Sequence, residues 1–305
     1  MILTAGELLA DLFGQRKDNS LQFSANIGGA PFNACVGAVQ AGAQAVFVGR
    51  VGTDVIGTFL SDMAKKIGFS KLVLQKDTQR NTTLAFVTLD KGERSFSFFR
   101  NNTADSYLET FDLNAYGNVS IFHIGTLMLS EKHGQAFART MLKQAKQKQI
   151  TIAVDANFRP SLFACKKQML AAFSDVIEYA DILKLSDDEL CLLENNTTDT
   201  SYLASALASI AKRYPHKFIA ITAGSKGSYF IREGKITYVP AKKVLTPIDT
   251  TGAGDAFFGS LLASFNTTHY LTANDNTLIS IFEKANQAGA TATQYQGALN
   301  TSLFL

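Results

Sequence analysis

The sequence predicts an α/β protein: a mostly parallel sheet with helices on both faces, built as a three-layer sandwich. Three observations carry this. Short apolar runs alternate with amphipathic segments, which is the pattern of βαβ units whose strands are buried on both sides. The 305 residues are 46% hydrophobic, enough to bury one large core, with or without a small appendage. Twenty-two glycines against five prolines suit many tight turns between elements.

Strands are expected at Met1–Ala5, Ala45–Arg50, Ser120–Ile124, Ile150–Asp155, Asp181–Leu185 and Phe218–Thr222. A helix is expected from near Pro31 to just before Gly42. A second should span about Val55–Ile67, with Asp54 as N-cap and Gly68 as its stop. A third follows Ser130 and places Phe137, Met141 and Ala145 on one face at four-residue spacing. Two regions break the rhythm. Residues 12–26 are polar without helical period, and residues 81–100 read as a hairpin: Thr83–Leu89, a turn at Asp90-Lys91-Gly92, then Ser95–Arg100. Neither has a helix to cover it. Together, segments of about 12–26 and 81–104 are expected to form a small β lid above the sheet's carboxyl edge, within one domain of residues 1–305.

Composition excludes several classes. A net charge of +3 is too weak for a nucleic-acid surface, and Lys143, Lys146 and Lys148 read as one solvated helix face. Three cysteines at wide spacing (Cys35, Cys165, Cys191), with no CxxC and no ligand spacing among four histidines, fit neither a disulfide framework nor a zinc site. A reducing cytoplasm is the expected setting. No signal-peptide pattern and no apolar run near the roughly 20 residues of a membrane helix occur.

The sharpest local feature is Asp249-Thr250-Thr251-Gly252-Ala253-Gly254-Asp255-Ala256-Phe257-Phe258-Gly259, which opens an apolar helix of about Ala253–Phe265. Glycines there allow close approach to a ligand, while the unpaired N–H groups of Gly252, Ala253 and Gly254 and the helix dipole favour an anion. Asp255, in the first turn, is expected to stay ionised under that dipole and to orient a hydroxyl and take its proton; taken alone, the segment equally suits a glycine-rich turn with Asp255 as an ordinary helix-start acid. No GxxxxGK[ST] occurs, and GxGxxG is not matched.

This segment resembles the second signature of the PfkB family of carbohydrate kinases. A first signature, Gly28-Gly29-Ala30-Pro31-Phe32-Asn33, is followed by Gly42 and Gly52, with Cys35 where the family usually has Ala, Ser or Thr. The resemblance covers essentially the whole chain and implies a ribokinase-like fold and ATP-dependent phosphorylation of a sugar. It also implies the site. Asp11, in the run that follows the first strand, would accept sugar hydroxyls, although an exposed loop Asp is the commoner case. Gly28 and Gly29 give close backbone approach, and Asn33 offers donor and acceptor. Phe99-Arg100 with Ala104-Asp105, and Asp155-Ala156-Asn157-Phe158-Arg159, look like segments of bacterial fructokinases. Arg100 and Arg159 are candidates for sugar or phosphate contact or, equally, surface arginines.

On the nucleotide side, Ser186-Asp187-Asp188-Glu189 occupies the place of the family's NxxE motif, with Ser for Asn, and is also a capping box. Glu189 would reach magnesium-bound water, and Lys184 would face phosphates, although a strand-end lysine is more often simply solvated. Thr222, Gly224 and Gly227 resemble the family's nucleotide turn, though the same sequence suits a hairpin. Asn286, in the helical stretch Glu283–Tyr295, matches a position near adenine. The family implies a monovalent cation, K+, near Asp249 and Thr251. The expected activity is a fructokinase using ATP and Mg2+. Alternatives are a sister kinase for 2-keto-3-deoxygluconate or ribose and a catalytically silent sugar-binding protein. Phe96, Phe98 and Phe99 would leave the hairpin apolar, so a homodimer through the lid is expected.

Overall fold

A computed structural model describes residues 1–90, 93–195, 197–242, 244 and 246–300, without the side chains of 16, 17, 88–90 and 93–96. The chain runs β1 (Ile2–Ala5), β2 (Leu9–Lys17), β3 (Ser20–Gly28), α1 (Ala30–Gln40), β4 (Ala45–Gly52), α2 (Val55–Lys65) and β5 (Lys71–Asp77). Next come β6 (Leu84–Asp90), β7 (Glu93–Phe99), β8 (Ile121–Ile124), α3 (Lys132–Gln147), β9 (Thr151–Asp155), α4 (Lys166–Tyr179), β10 (Ile182–Ser186) and α5 (Asp187–Asn195). The remainder is α6 (Leu203–Arg213), β11 (Phe218–Thr222), β12 (Gly227–Arg232), β13 (Lys235–Pro240), α7 (Ala253–Phe265) and α8 (Asp275–Ala292).

Nine strands form one sheet in the order β13-β12-β11-β10-β9-β8-β1-β4-β5. It is parallel from β11 to β5 and antiparallel at β11-β12-β13. Period-two alternation sends neighbouring residues to opposite faces, and both faces are apolar. Leu3, Val48, Ile152, Leu183 and Ile219 meet α3, α4, α5 and α6 in one core. Ile2, Phe47, Ala153, Ile182 and Phe218 meet α1, α2, α7 and α8 in the other. Strand order reverses at β1, between β4 and β8, and in open α/β sheets the crevice beyond such a reversal takes the ligand.

The lid is a second sheet of four strands, β3-β2-β6-β7. It starts earlier than the sequence suggests. Asp11 is not in a loop past β1 but inside β2, opposite Asn26 of β3 and Ala85 of β6. The expected turn after Asp90 lies, at residues 91 and 92, outside the described residues. Phe98 turns inward with Leu9, Ala85 and Leu127, whereas Phe99 faces out. The Phe96 side chain is outside the described set.

Asp54 caps α2 as expected, accepting from the Gly57 N–H at 2.7 Å, but the helix ends at Lys65 and Gly68 is not its stop. Helix α8 starts at Asp275, earlier than Glu283, because Asn274 caps it by accepting from Thr277. Three strands escape the sequence pattern: β5, β12 and β13. All three cysteines are free, with only Cys165 exposed. Among the described residues no helix is long and apolar enough to cross a membrane.

Candidate active site

Helices α1 and α7 cross in near backbone contact. A Cβ at Gly259 would collide with the Ala34 carbonyl oxygen, and one at Gly37 would lie 3.4 Å from the Ala256 Cα. This approach brings the two glycine-rich signatures together. Asn33 Nδ2 donates to Asp255 Oδ2 at 2.8 Å, while Asn33 Oδ1 is buried with no protein partner.

At the start of α7, Gly252 adopts φ +77 and would drive a Cβ to 2.6 Å from the Ala298 carbonyl oxygen. Only glycine takes that conformation without strain. The Ala253 N–H is held loosely by Thr250 O at 3.3 Å, and Ala256 N–H bonds Gly252 O at 2.8 Å. Among the described residues, no protein acceptor takes the N–H groups of Gly252, Gly254 or Asp255, so these donors remain for an anion. The loop before them is braced by buried Asp249, whose Oδ1 accepts from Thr251 N and Oδ2 from Gly297 N, both at 2.7 Å. Both oxygens thus serve the loop's backbone.

Asp255 is half-buried in the first turn of α7. Desolvation raises its carboxyl above the ordinary range, against the Asn33 bond, Lys184 and Arg159, which lower it, while Glu189 adds to the rise. Burial therefore works against the ionisation that the helix dipole is expected to favour. A raised value brings a base nearer its working pH.

Asp11 reaches down from the lid. Its carboxylate packs where a Cβ at Gly28 would stand, and burial followed by repulsion from Asp255 pushes it up to about 7, with Arg159 opposing. No hydrogen bond joins it to another described residue, so its lone pairs face the cleft. Arg159 is half-buried; one N–H bonds the Phe158 carbonyl at 3.0 Å, and its charge acts on Asp11, Asp155, Glu189 and Asp255 together.

Arg100 departs from the expectation of a sugar contact. Its side chain is fully buried, bound to Asp105 Oδ2 through Nε at 3.0 Å and Nη2 at 2.7 Å, and to Ser130 Oγ at 2.6 Å. Asp105 also accepts from Thr83 and Thr103. The arginine is therefore an ion-paired brace at the foot of β7.

Lys184 is likewise buried rather than solvated, 2.9 Å from Asp155 Oδ2. Its Nζ lies 3.0 Å from where a Cβ at Gly254 would stand. Burial lowers its pKa, but Asp155, Glu189 and Asp255 outweigh that and hold it above the ordinary lysine value. A positive charge therefore persists beneath the free amides. Glu189 accepts from Phe158 N at 2.6 Å and from Ser186 N at 2.8 Å. The capping box is half-formed, because the Ser186 hydroxyl donates to Asp188 instead. Asp155, which the sequence offered only as part of a motif, is the missed member: it anchors Lys184 and keeps one buried oxygen unpartnered.

On the adjoining edge, Thr222 ends β11 and Gly224 and Gly227 turn the chain at φ +52 and +124 into β12, so the segment is a hairpin. Asn286 donates to the carbonyls of Val239 and Pro240 at 3.3 and 3.1 Å, pinning α8 to the end of β13.

Free helix-start amides, a buried lysine near them and an acid beside them, on a ribokinase-like fold, are an arrangement suited to phosphoryl transfer. The pfkB family carbohydrate kinase pattern matches residues 1–303, and the chain belongs to that family. It is 30% identical to a fructokinase of Vibrio alginolyticus over 98% of this chain and 94% of that one. Among solved structures, a fructokinase with bound ATP from Xylella fastidiosa superposes with a TM-score of 0.84 at 29% identity, over 98% of this chain and 94% of that chain. A fructokinase from Vibrio cholerae O395 with fructose, ADP and calcium ion bound gives 0.83 at 26% identity over the same shares.

Proposed function

We propose that this chain is an ATP-dependent fructokinase, converting D-fructose and ATP to fructose 6-phosphate and ADP. The observation that carries the reading is the set of free N–H groups at Gly252, Gly254 and Asp255 beside a carboxylate bonded to Asn33. Asp11, the Gly28-Gly29 backbone, Asn33 and Arg159 hold the sugar, Arg100 braces the lid behind them, and Asp255 faces the primary hydroxyl. That oxygen bonds to the γ-phosphorus as the bridge to the β-phosphate breaks, and the proton passes to Asp255. The amides and Lys184 take up the charge on the moving phosphoryl group. Ser186, Thr222, Gly224, Gly227 and Asn286 line the nucleotide side.

Magnesium neutralises the nucleotide phosphates when bound. An ion brought by the phosphates needs only one or two protein carboxylates. The unpartnered Asp155 oxygen and Glu189 are the acids that would face it. K+ near Asp249 and Thr251 belongs to the same reading. A sugar panel with coupled ADP release tests it: fructose should lead ribose and 2-keto-3-deoxygluconate in kcat/KM, and sugar-dependent thermal stabilisation without ADP release would replace it with a silent binding protein.

Residues 1–305 work as one catalytic unit with its lid. The lid carries a homodimer interface: Leu21, Phe23 and Phe99 are 60%, 43% and 64% exposed, and Phe23 and Phe99 flank Phe86 as one aromatic patch. An exposed free Cys165 fits a cytoplasmic setting.

A further inference from the structure

Glu7 belongs neither to the sugar contacts nor to the phosphate contacts, yet it is almost fully buried. It sits in the three residues between β1 of the main sheet and β2 of the lid. Its Oε2 has no protein partner and lies 2.5 Å from where a Cβ at Gly125 would stand, just after β8. The lid's first crossing is thus wedged against the carboxyl edge of the central sheet. Asp105 and Arg100, at the foot of β7 in the lid's last crossing, and Asp255 of α7 lie near enough for their charges to act on Glu7. The local sum decides the state of Glu7. Arg100 is already neutralised by two bonds to Asp105, so an ionised Glu7 would add an uncompensated negative charge to a buried site. Burial first, then Asp105 and Asp255, push its carboxyl up to about 8, with its own backbone N–H and Arg100 opposing.

We propose that Glu7 is a lid-positioning residue whose neutral carboxyl lets the first and last lid crossings pack together, and whose ionisation in mildly alkaline solution loosens the lid and weakens sugar binding. The sign follows from linkage. A raised folded-state value means that the stability this group contributes is full below its unfolded value and is lost as pH rises through about 8. Asp11 gains charge through about 7, so the window that isolates Glu7 lies above that value and spans about 8.

The inference rests on the fructokinase reading for its sugar arm only. The experiment compares wild type with Glu7→Gln, which mimics the neutral acid, between about pH 7.5 and 9. Wild-type fructose KM should rise about three- to tenfold, while KM of E7Q stays within about twofold and kcat changes little in either. The upper limit is set by the roughly one in ten Glu7 side chains left neutral at the alkaline end of that range. A parallel rise of KM in E7Q overturns the proposal. A second measurement needs neither substrate nor variant: hydrogen exchange of β2 and β6 in the wild type, corrected for intrinsic chemistry. Protection should fall at about pH 9 in those strands and hold in β8 and β9. Unchanged lid protection overturns the proposal even where fructose proves not to be the substrate.

Discussion

Replacing Asp255 by Asn removes a charge and a proton acceptor while keeping shape. The carboxamide oxygen can still accept from Asn33 Nδ2, now 2.8 Å from Oδ2, so the α1–α7 junction should survive. What goes is the base. A positioned acid–base group contributes roughly 10²–10⁴-fold, or about 3–5 kcal/mol of barrier. The variant should therefore lose that much kcat in a coupled ADP assay while fructose and ATP still bind by calorimetry. Stability should move the other way. Asp255 is held above its ordinary value by burial, so its contribution falls away as pH rises through the folded value, and neutral Asn escapes that cost. D255N is expected to melt higher than wild type at about pH 8, a gain in stability at the expense of function. A kcat within about tenfold of wild type, with binding intact, refutes the role assigned to this carboxylate.

Asp11→Asn should raise fructose KM by about 10²-fold, the loss of two hydrogen bonds to a charged group, and leave ATP KM alone. With the Asp11 carboxyl pushed up to about 7, wild-type sugar affinity should improve as pH rises from about 6 to about 7.5, and D11N should show no such rise. Gly252→Ala forces a Cβ against Ala298 at φ +77; it should cost about 1–3 kcal/mol in melting and at least about tenfold in kcat. The pair Phe23→Ser and Phe99→Ser should convert the proposed lid dimer to a monomer in sedimentation, and a wild type that sediments as a monomer removes the interface.

The central strands were readable because each is a short apolar run buried on both faces. Strand β5 (KLVLQKD) sits at the sheet's edge, half-buried and interrupted by charge, and β13 is mostly exposed; neither carries the apolar signal. The glycine signatures exposed the phosphate side, since Gly252 and Gly259 are demanded by backbone approach. Charge pairing stayed hidden. Nothing local separates a surface arginine from Arg100 locked to Asp105, or a solvated lysine from Lys184 on Asp155, because the sequence does not say which acid each cation will meet. Asp11 looked like a loop acid because its strand belongs to the lid, paired with the adjoining β3 at Asn26 and with β6, far along the chain, at Ala85.

The decisive experiment follows the backbone amides of residues 252–255 by ¹⁵N NMR as ADP, aluminium fluoride, magnesium and fructose are added together. Large shifts are expected at Gly252, Gly254 and Asp255, greater than with ADP alone. Amides that stay put while the analogue binds tightly would place the transferring group elsewhere in the cleft.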